Sequence, residues 1–423
     1  MILKYSKSTY LLLFFSICFK LVSCAQQSTK KAQPEKKTPK ILKTGANRTE
    51  LYLDLLKNKN VAIVANQTST IEILQRKEIS TNVMGSEKVS KHLVDYLHSN
   101  KNINVQRVFA PEHGFRGKAD AGETVKDGVD TKTGLSIISL YGKNKKPYPE
   151  QLKDIDVVVF DIQDVGARFY TYISTLHYVM EACAEAKIPV ILLDRPNPNG
   201  YYIDGPVLEM KHKSFVGMHP VPIVYGMTIG EYGKMINGEH WLENGIQCDL
   251  TVVPLENYTH DTKYSLPIKP SPNLPNDISI NLYPSLCFFE GTNVSVGRGT
   301  SEQFQIVGSP FYNLDRYTHE FTPVPNEGAK YPKHKDKICY GYDLRDVKAL
   351  DKIDLTWLID FYNGHKNHSK EKEFFNTFFV KLAGTERLKE QIKKGLTSDE
   401  IRSSWKQKIK EFQLKREKYL LYE

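Results

Sequence analysis

Four short apolar runs in this chain each break into residues able to do chemistry. Residues 61–64 lead into Asn66, Gln67 and Thr68, and residues 105–109 into Glu112, His113 and Arg116. Residues 157–160 lead into Asp161, Gln163, Asp164, Arg168, Tyr170 and Tyr172, and residues 190–193 into Asp194, Arg195 and Asn197. Carboxylates, amides, phenols and guanidiniums in this mixture suit a carbohydrate. Glycoside hydrolysis needs a proton donor and usually a second carboxylate acting as nucleophile or base. Glu112 is the best donor: it follows Pro111 at a strand end, and partial burial near His113 would raise its pKa toward neutrality. Asp161, Asp164 and Glu290 compete for the second role. His113 either orients Glu112, contacts a sugar hydroxyl or is a satisfied structural histidine. Tyr170 and Tyr172 can stack on a sugar or bond to it, although aromatics at a helix start also serve as core. The plain alternative for Glu112 is a structural ion pair with Arg116 or Arg168.

Signatures of other chemistries are missing. The first apolar run is not followed by G-x-G-x-x-G, and G-x-x-x-x-G-K-[ST] occurs nowhere, which disfavours a nucleotide cofactor. Gly226-Met-Thr-Ile-Gly230 only echoes a nucleophile elbow, since it lies at a capped helix start. No H-E-x-x-H is present, and the adjacent Glu112 and His113 are poorly spaced to share one ion. No metal and no cofactor are expected.

The elements that must position these residues alternate. Helical spacing covers residues 48–57, 88–97 and 172–186, and strands are expected at 61–64, 105–109, 135–140, 157–162, 190–193 and 250–253. Such alternation predicts an α/β fold: a Rossmann-like, mostly parallel sheet with right-handed crossovers. In such a sheet the strand ends lie side by side, and ligands bind beyond them. Thr228-Ile-Gly-Glu231 reads as a capping box opening a helix toward Ile236. Past residue 256 the texture changes. Residues 267–284 are proline-rich loop, and the charged tail from Lys393 carries Trp405, Ile409, Phe412 and Tyr419 at helical spacing, as a helix packing on a second domain would. The expected division is a Rossmann-like domain over residues 44–255 and a smaller C-terminal α/β domain over 256–423.

The chain has 423 residues and a formal charge of +9, with no concentrated basic stripe, so a nucleic-acid partner is not expected. Lys4 and Lys7 precede an apolar stretch that ends in Leu21-Val22-Ser23-Cys24, which reads as a lipoprotein signal over residues 1–23 with Cys24 as the lipidated residue. Residues 24–43 read as a flexible Lys-rich tether. The expected location is the bacterial cell envelope, lipid-anchored in the outer membrane and facing the periplasm. Cys183, Cys248, Cys287 and Cys339 lack metal spacing and read as small buried hydrophobes.

Several longer strings resemble one family, the NamZ-like exo-β-N-acetylmuramidases of peptidoglycan recycling. They are AIVANQTS at 62–69, FAPEHGFRG at 109–117, AGETV at 121–125, TGLSIISLYG at 133–142, FDIQDVGARFYTYISTL at 160–176, LLDRPNPNG at 192–200, FFEGTNVSVGRGT at 288–300 and the closing SSWKQKIKEFQLKREKYLLY. The resemblance spans essentially residues 45–422. It implies a site in the cleft between two domains, removal of terminal N-acetylmuramic acid from the non-reducing end of glycan fragments, and Glu112 as catalytic acid. Muramic acid differs from glucosamine by a lactyl carboxylate, which calls for an arginine fork. Arg168, Arg195 and Arg298 are candidates. Asn66, Gln67, Tyr170, Tyr172, Asp194, Asn197, Glu290 and Asn293 complete the expected sugar contacts. Two other readings remain: a non-catalytic glycan-binding lipoprotein, and an esterase or amidase acting on the lactyl or peptide portion, for which no nucleophile–base pair stands out.

Overall fold

The computed structural model describes residues 41–80, 83–117, 123, 127–313, 315–368 and 373–423. Cys24 and almost all of the expected tether therefore lie outside the described residues, as does most of AGETV. Leu42–Glu423 form one compact unit, and the edge of the tether already belongs to it: Lys43 bridges to Glu256.

In chain order the strands are β1 (Asn60–Ala65), β2 (Thr70–Ser80), β3 (Val83–His92), β4 (Asn104–Ala110), β5 (Gly128–Val129), β6 (Ser136–Ser139), β7 (Val157–Asp161), β8 (Val190–Leu193), β9 (Leu250–Val253), β10 (Ile306–Ser309), β11 (His319–Phe321) and β12 (Cys339–Asp343). The main sheet runs β5-β6-β4-β1-β7-β8-β9. All its neighbours pair in parallel except β5 with β6. Counted along the chain, the parallel strands stand in the order 3-2-1-4-5-6 of a doubly wound sheet. Both faces are covered, which is why β7 and β8 are buried throughout and apolar up to Asp161. Val158 and Phe160 face one core, Val157 and Val159 the other.

Two expected helices differ. Residues 88–92 are strand, because β2 and β3 form a long antiparallel hairpin pairing Thr70 with His92. The helix begins only at Leu93, capped by the His92 ring accepting from the Val94 amide at 3.2 Å. A cross-strand ladder is non-local, so local spacing cannot reveal it. Residues 48–57 are one short 3-10 turn and one helical turn, with Leu51 and Leu55 exposed and Tyr52 and Leu56 buried.

The C-terminal part holds a small antiparallel sheet, β10-β12-β11, and several short helices. One core cluster runs from Val158 and Phe160 through Phe288 and Phe361 to Phe412. The tail does not pack only on this part. Tyr422 donates to Asp194 at 2.6 Å, the Leu421 amide to Glu231 at 2.8 Å, and Arg416 to the Gly226 carbonyl. Glu231 is also the carboxylate of the capping box on Thr228. The chain's last residues thus tie the C-terminal end to the large sheet.

Candidate active site

A cavity of about 820 Å³ opens beyond the end of β4. Its walls come from the turn after β4 (Glu112, His113), the loop after β6 (Tyr141, Lys145), the approach to the Tyr172–Ala186 helix (Phe169, Tyr170, Thr171), the proline-rich loop (Ser271, Asn273, Leu274) and the C-terminal part (Tyr283, Glu290, Arg298, Phe304, Lys333).

Glu112 is placed by its turn. His113 and Gly114 both take the left-handed conformation, at φ 69° and 76°, and the Gly114 amide closes onto the Pro111 carbonyl at 3.0 Å. A non-glycine residue tolerates that region poorly, with histidine among the more tolerant. The chain leaves the sheet sharply there, and Glu112 lines the cavity while only 8% exposed. Thr171 donates to its Oε2 at 2.6 Å. Burial and the Glu112 carboxylate, which the Tyr141 hydroxyl meets, push the Tyr141 phenol up. The two arginines weighed as ion-pair partners for Glu112 are engaged elsewhere. Arg116 pairs with Asp130 at 2.9 Å and reaches Asp95 at 3.5 Å, and Arg168 binds only carbonyls.

On the C-terminal side, Arg298 clamps Glu290 through Nε at 2.7 Å and Nη2 at 2.6 Å, both to Oε1, and lies over the Phe304 ring. Lys333 donates to the carbonyls of Phe289, Thr292 and Val294 at 3.1, 2.6 and 3.0 Å, and burial pulls its ammonium down to about 8.

Of the residues expected at the site, Glu112, His113, Tyr170, Glu290 and Arg298 line the cavity. The rest are outside that lining and are engaged in holding the fold. Asp161 is fully buried in a bidentate pair with Arg195, at 2.6 and 2.8 Å, and Arg195 also reaches the Thr70 carbonyl. Asp164 accepts from the Gly166 amide at 2.7 Å and from the Tyr225 hydroxyl, and burial pushes it up to about 6. Asp194 accepts from Gly230, Thr228, Tyr422 and its neighbour's amide, and burial pushes it up to about 7. Asn66 holds Thr68, Asn197 bonds the Met227 carbonyl, and Asn293 meets His365. Gly166, at φ 75°, has no room for a side chain: a Cβ there would stand 2.2 Å from the Asn197 side chain. Gln67 and Tyr172 both donate to the Pro270 carbonyl, at 3.0 and 3.2 Å, so they position the proline-rich loop that lines the cavity.

Tyr141, Lys145, Phe215, Asn273, Tyr283 and Lys333 line the cavity without having been expected there. Tyr141 was within reach, since it follows the end of β6 as Glu112 follows β4. Lys145 lies further along the same loop, and the remaining four sit on loops or helices far along the chain and carry no strand-end signal.

The chain matches two family models, described as the N-terminal and C-terminal parts of the exo-beta-N-acetylmuramidase NamZ, over residues 61–278 and 281–422. It is 40% identical over 365 residues to the peptidoglycan beta-N-acetylmuramidase NamZ of Bacillus subtilis (strain 168), covering 82% of this chain and 87% of that one. A crystal structure of a DUF1343 family protein from Bacteroides fragilis NCTC 9343 superposes with a TM-score of 0.78 at 44% identity, covering 91% of this chain and 99% of that one. A second DUF1343 protein from the same organism gives 0.73 at 29% identity, covering 90% and 99%.

Proposed function

The chain belongs to the NamZ family of exo-β-N-acetylmuramidases, and from that premise we propose that it releases terminal N-acetylmuramic acid from the non-reducing end of peptidoglycan fragments, with Glu112 as the proton donor. The observation that carries the second part is the placement of Glu112: a buried carboxyl at the cavity wall, met by two hydroxyls. As general acid, Glu112 gives a proton to the glycosidic oxygen as the bond to the anomeric carbon breaks, and water supplies the new oxygen on that carbon and returns a proton. The carboxylate left behind is stabilised by the hydroxyls of Thr171 and Tyr141, donors whose bonds strengthen as charge develops. Of the carboxylates considered for the second role, Glu290 lines the cavity, and its clamp on Arg298 keeps it oriented. Phe169, Tyr170, Tyr283 and Phe304 offer ring surface to the apolar faces of a sugar. The cavity volume falls within the range of small-ligand sites.

Purified protein should release 4-nitrophenol from the β-N-acetylmuramide and free sugar from a muramic-acid-terminated disaccharide. Failure on both would contradict the reading, and tight binding without turnover would return the non-catalytic one.

We also propose that Cys24 carries lipid and that residues 25–41 tether the catalytic body to the envelope. This rests on the Lys4–Lys7 start, the short apolar stretch and Leu21-Val22-Ser23-Cys24. Cys24→Ala should move the protein from the membrane pellet to the soluble fraction and abolish radiolabelling by palmitate. Unchanged labelling would exclude this anchor.

A further inference from the structure

An enzyme selective for a terminal N-acetylmuramic acid must recognise the carboxylate that distinguishes this sugar from N-acetylglucosamine. Of the arginines expected to do so, two are consumed. Arg195 is paired with Asp161, and Arg168 is fully buried on the carbonyls of Pro206, Val221, Leu382 and Ala383. Neither lines the cavity. The lysines and arginine that do, among the described residues, are Lys145, Arg298, Lys330 and Lys333. Lys330 is paired with Glu123 at 2.5 Å. Lys333 has its three protons on three backbone carbonyls, so it contributes a fixed charge but no donor. Lys145 stands 4.6 Å over the Phe215 ring.

Arg298 differs from all of these. Glu290 engages Nε and Nη2 through a single oxygen, and Phe304 supports the guanidinium plane, which leaves Nη1 without an acceptor among the described residues. With Lys333 beside it, this corner holds two cations against the one carboxylate of Glu290. Arg298 and Glu290 are partly buried, with side chains 21% and 24% exposed, so the excess positive charge is incompletely solvated and the corner suits an anionic ligand group.

The direction also fits. Tyr170, which feels the Glu112 charge, packs edge-on to Tyr283 at 5.8 Å, and Tyr283 packs on Phe304 at 5.0 Å. An aromatic wall therefore leads from Glu112 to Arg298. Recognition of the lactyl group at Arg298 requires a sugar ring to lie along this wall with its anomeric oxygen at Glu112 and its O3 substituent toward Arg298.

Building on the N-acetylmuramidase reading, we infer that Arg298, supported by Glu290 and the fixed charge of Lys333, binds the lactyl carboxylate and sets the selectivity for muramic acid.

The test compares 4-nitrophenyl β-N-acetylmuramide with its lactyl methyl ester, in which the charge is removed. The wild type should prefer the acid by about 10- to 100-fold in kcat/KM, the worth of a charge-assisted hydrogen bond. Arg298→Met should bring that ratio near one, chiefly through KM for the acid. Arg298→Lys keeps a charge beside Glu290, so it should fold and still lose most of the preference. Because Arg298 also orients Glu290, both substrates will slow; the ratio isolates recognition of the carboxylate. A wild-type ratio retained in Arg298→Met overturns the inference, as does a ratio lost instead in Lys145→Met. Calorimetry with free N-acetylmuramic acid and N-acetylglucosamine supplies a readout independent of turnover. A wild type that cleaves neither substrate sinks the glycosidase reading, while loss of the difference in sugar affinity in Arg298→Met still upholds the role of Arg298.

Discussion

Glu112→Gln will retain the fold and lose about 10²- to 10⁴-fold in kcat on a muramic-acid-terminated disaccharide, the range general acid catalysis supplies. The amide has nearly the shape of the carboxyl, so the turn at His113 and Gly114 has no reason to move. It can still accept from Thr171, which spares a contact that holds the side chain. What it cannot do is give up a proton to the departing sugar oxygen. Glycan affinity should change far less than turnover, since the aromatic wall and the corner at Arg298 are untouched. Steady-state kinetics with unfolding curves as control check this. Turnover within a few-fold of wild type would put the proton donor elsewhere.

The second large effect concerns stability. Arg168→Met should destabilise the protein by about 4 kcal/mol, because it leaves buried carbonyls without donors. The Arg168 guanidinium is fully buried with no carboxylate partner among the described residues, and burial pulls its pKa down to about 9. It is tolerated because Nη1 donates to Pro206 and Val221 and Nη2 to Leu382 and Ala383, all between 2.8 and 3.0 Å. Leu382 and Ala383 end the Phe378–Ala383 helix, whose carbonyl end carries partial negative charge. One side chain thereby joins the segments after β8 to a C-terminal helix that gives Phe378 and Leu382 to the cavity. Urea denaturation gives the difference. A loss below about 1 kcal/mol would mean that water replaces the guanidinium at those carbonyls.

Much of this architecture was readable from local pattern. The VVVFD run, buried on both faces, gave a parallel strand, and Thr228 with Glu231 gave a helix start down to its capping bonds. Reading strand ends for polar residues led to Glu112 for the same reason. At the central strands the same rule named residues that lie outside the cavity lining. There Asp161, Arg195, Asp194 and Asn197 fill the crevice at the centre of the sheet with bonds to one another and to nearby backbone. A buried ion pair and a sugar site draw on the same residue types, and only the position of the partner tells them apart. That partner is 34 residues away for Asp161 and Arg195, so no local window holds the answer. The β2–β3 hairpin and the cavity lysines escaped notice for the same reason: long-range pairing and loop packing decide them.

We propose that Glu112 protonates the leaving group in this cavity. This is tested most directly by comparing wild type and Glu112→Gln on two muramides, one with a 2,4-dinitrophenyl leaving group and one with N-acetylglucosamine. An activated phenol departs without help from an acid, whereas a sugar does not. The account predicts a deficit near one on the aryl substrate and about 10²-fold or more on the disaccharide. Equal deficits on both would contradict it, since they would mean that Glu112 shapes the site without donating the proton.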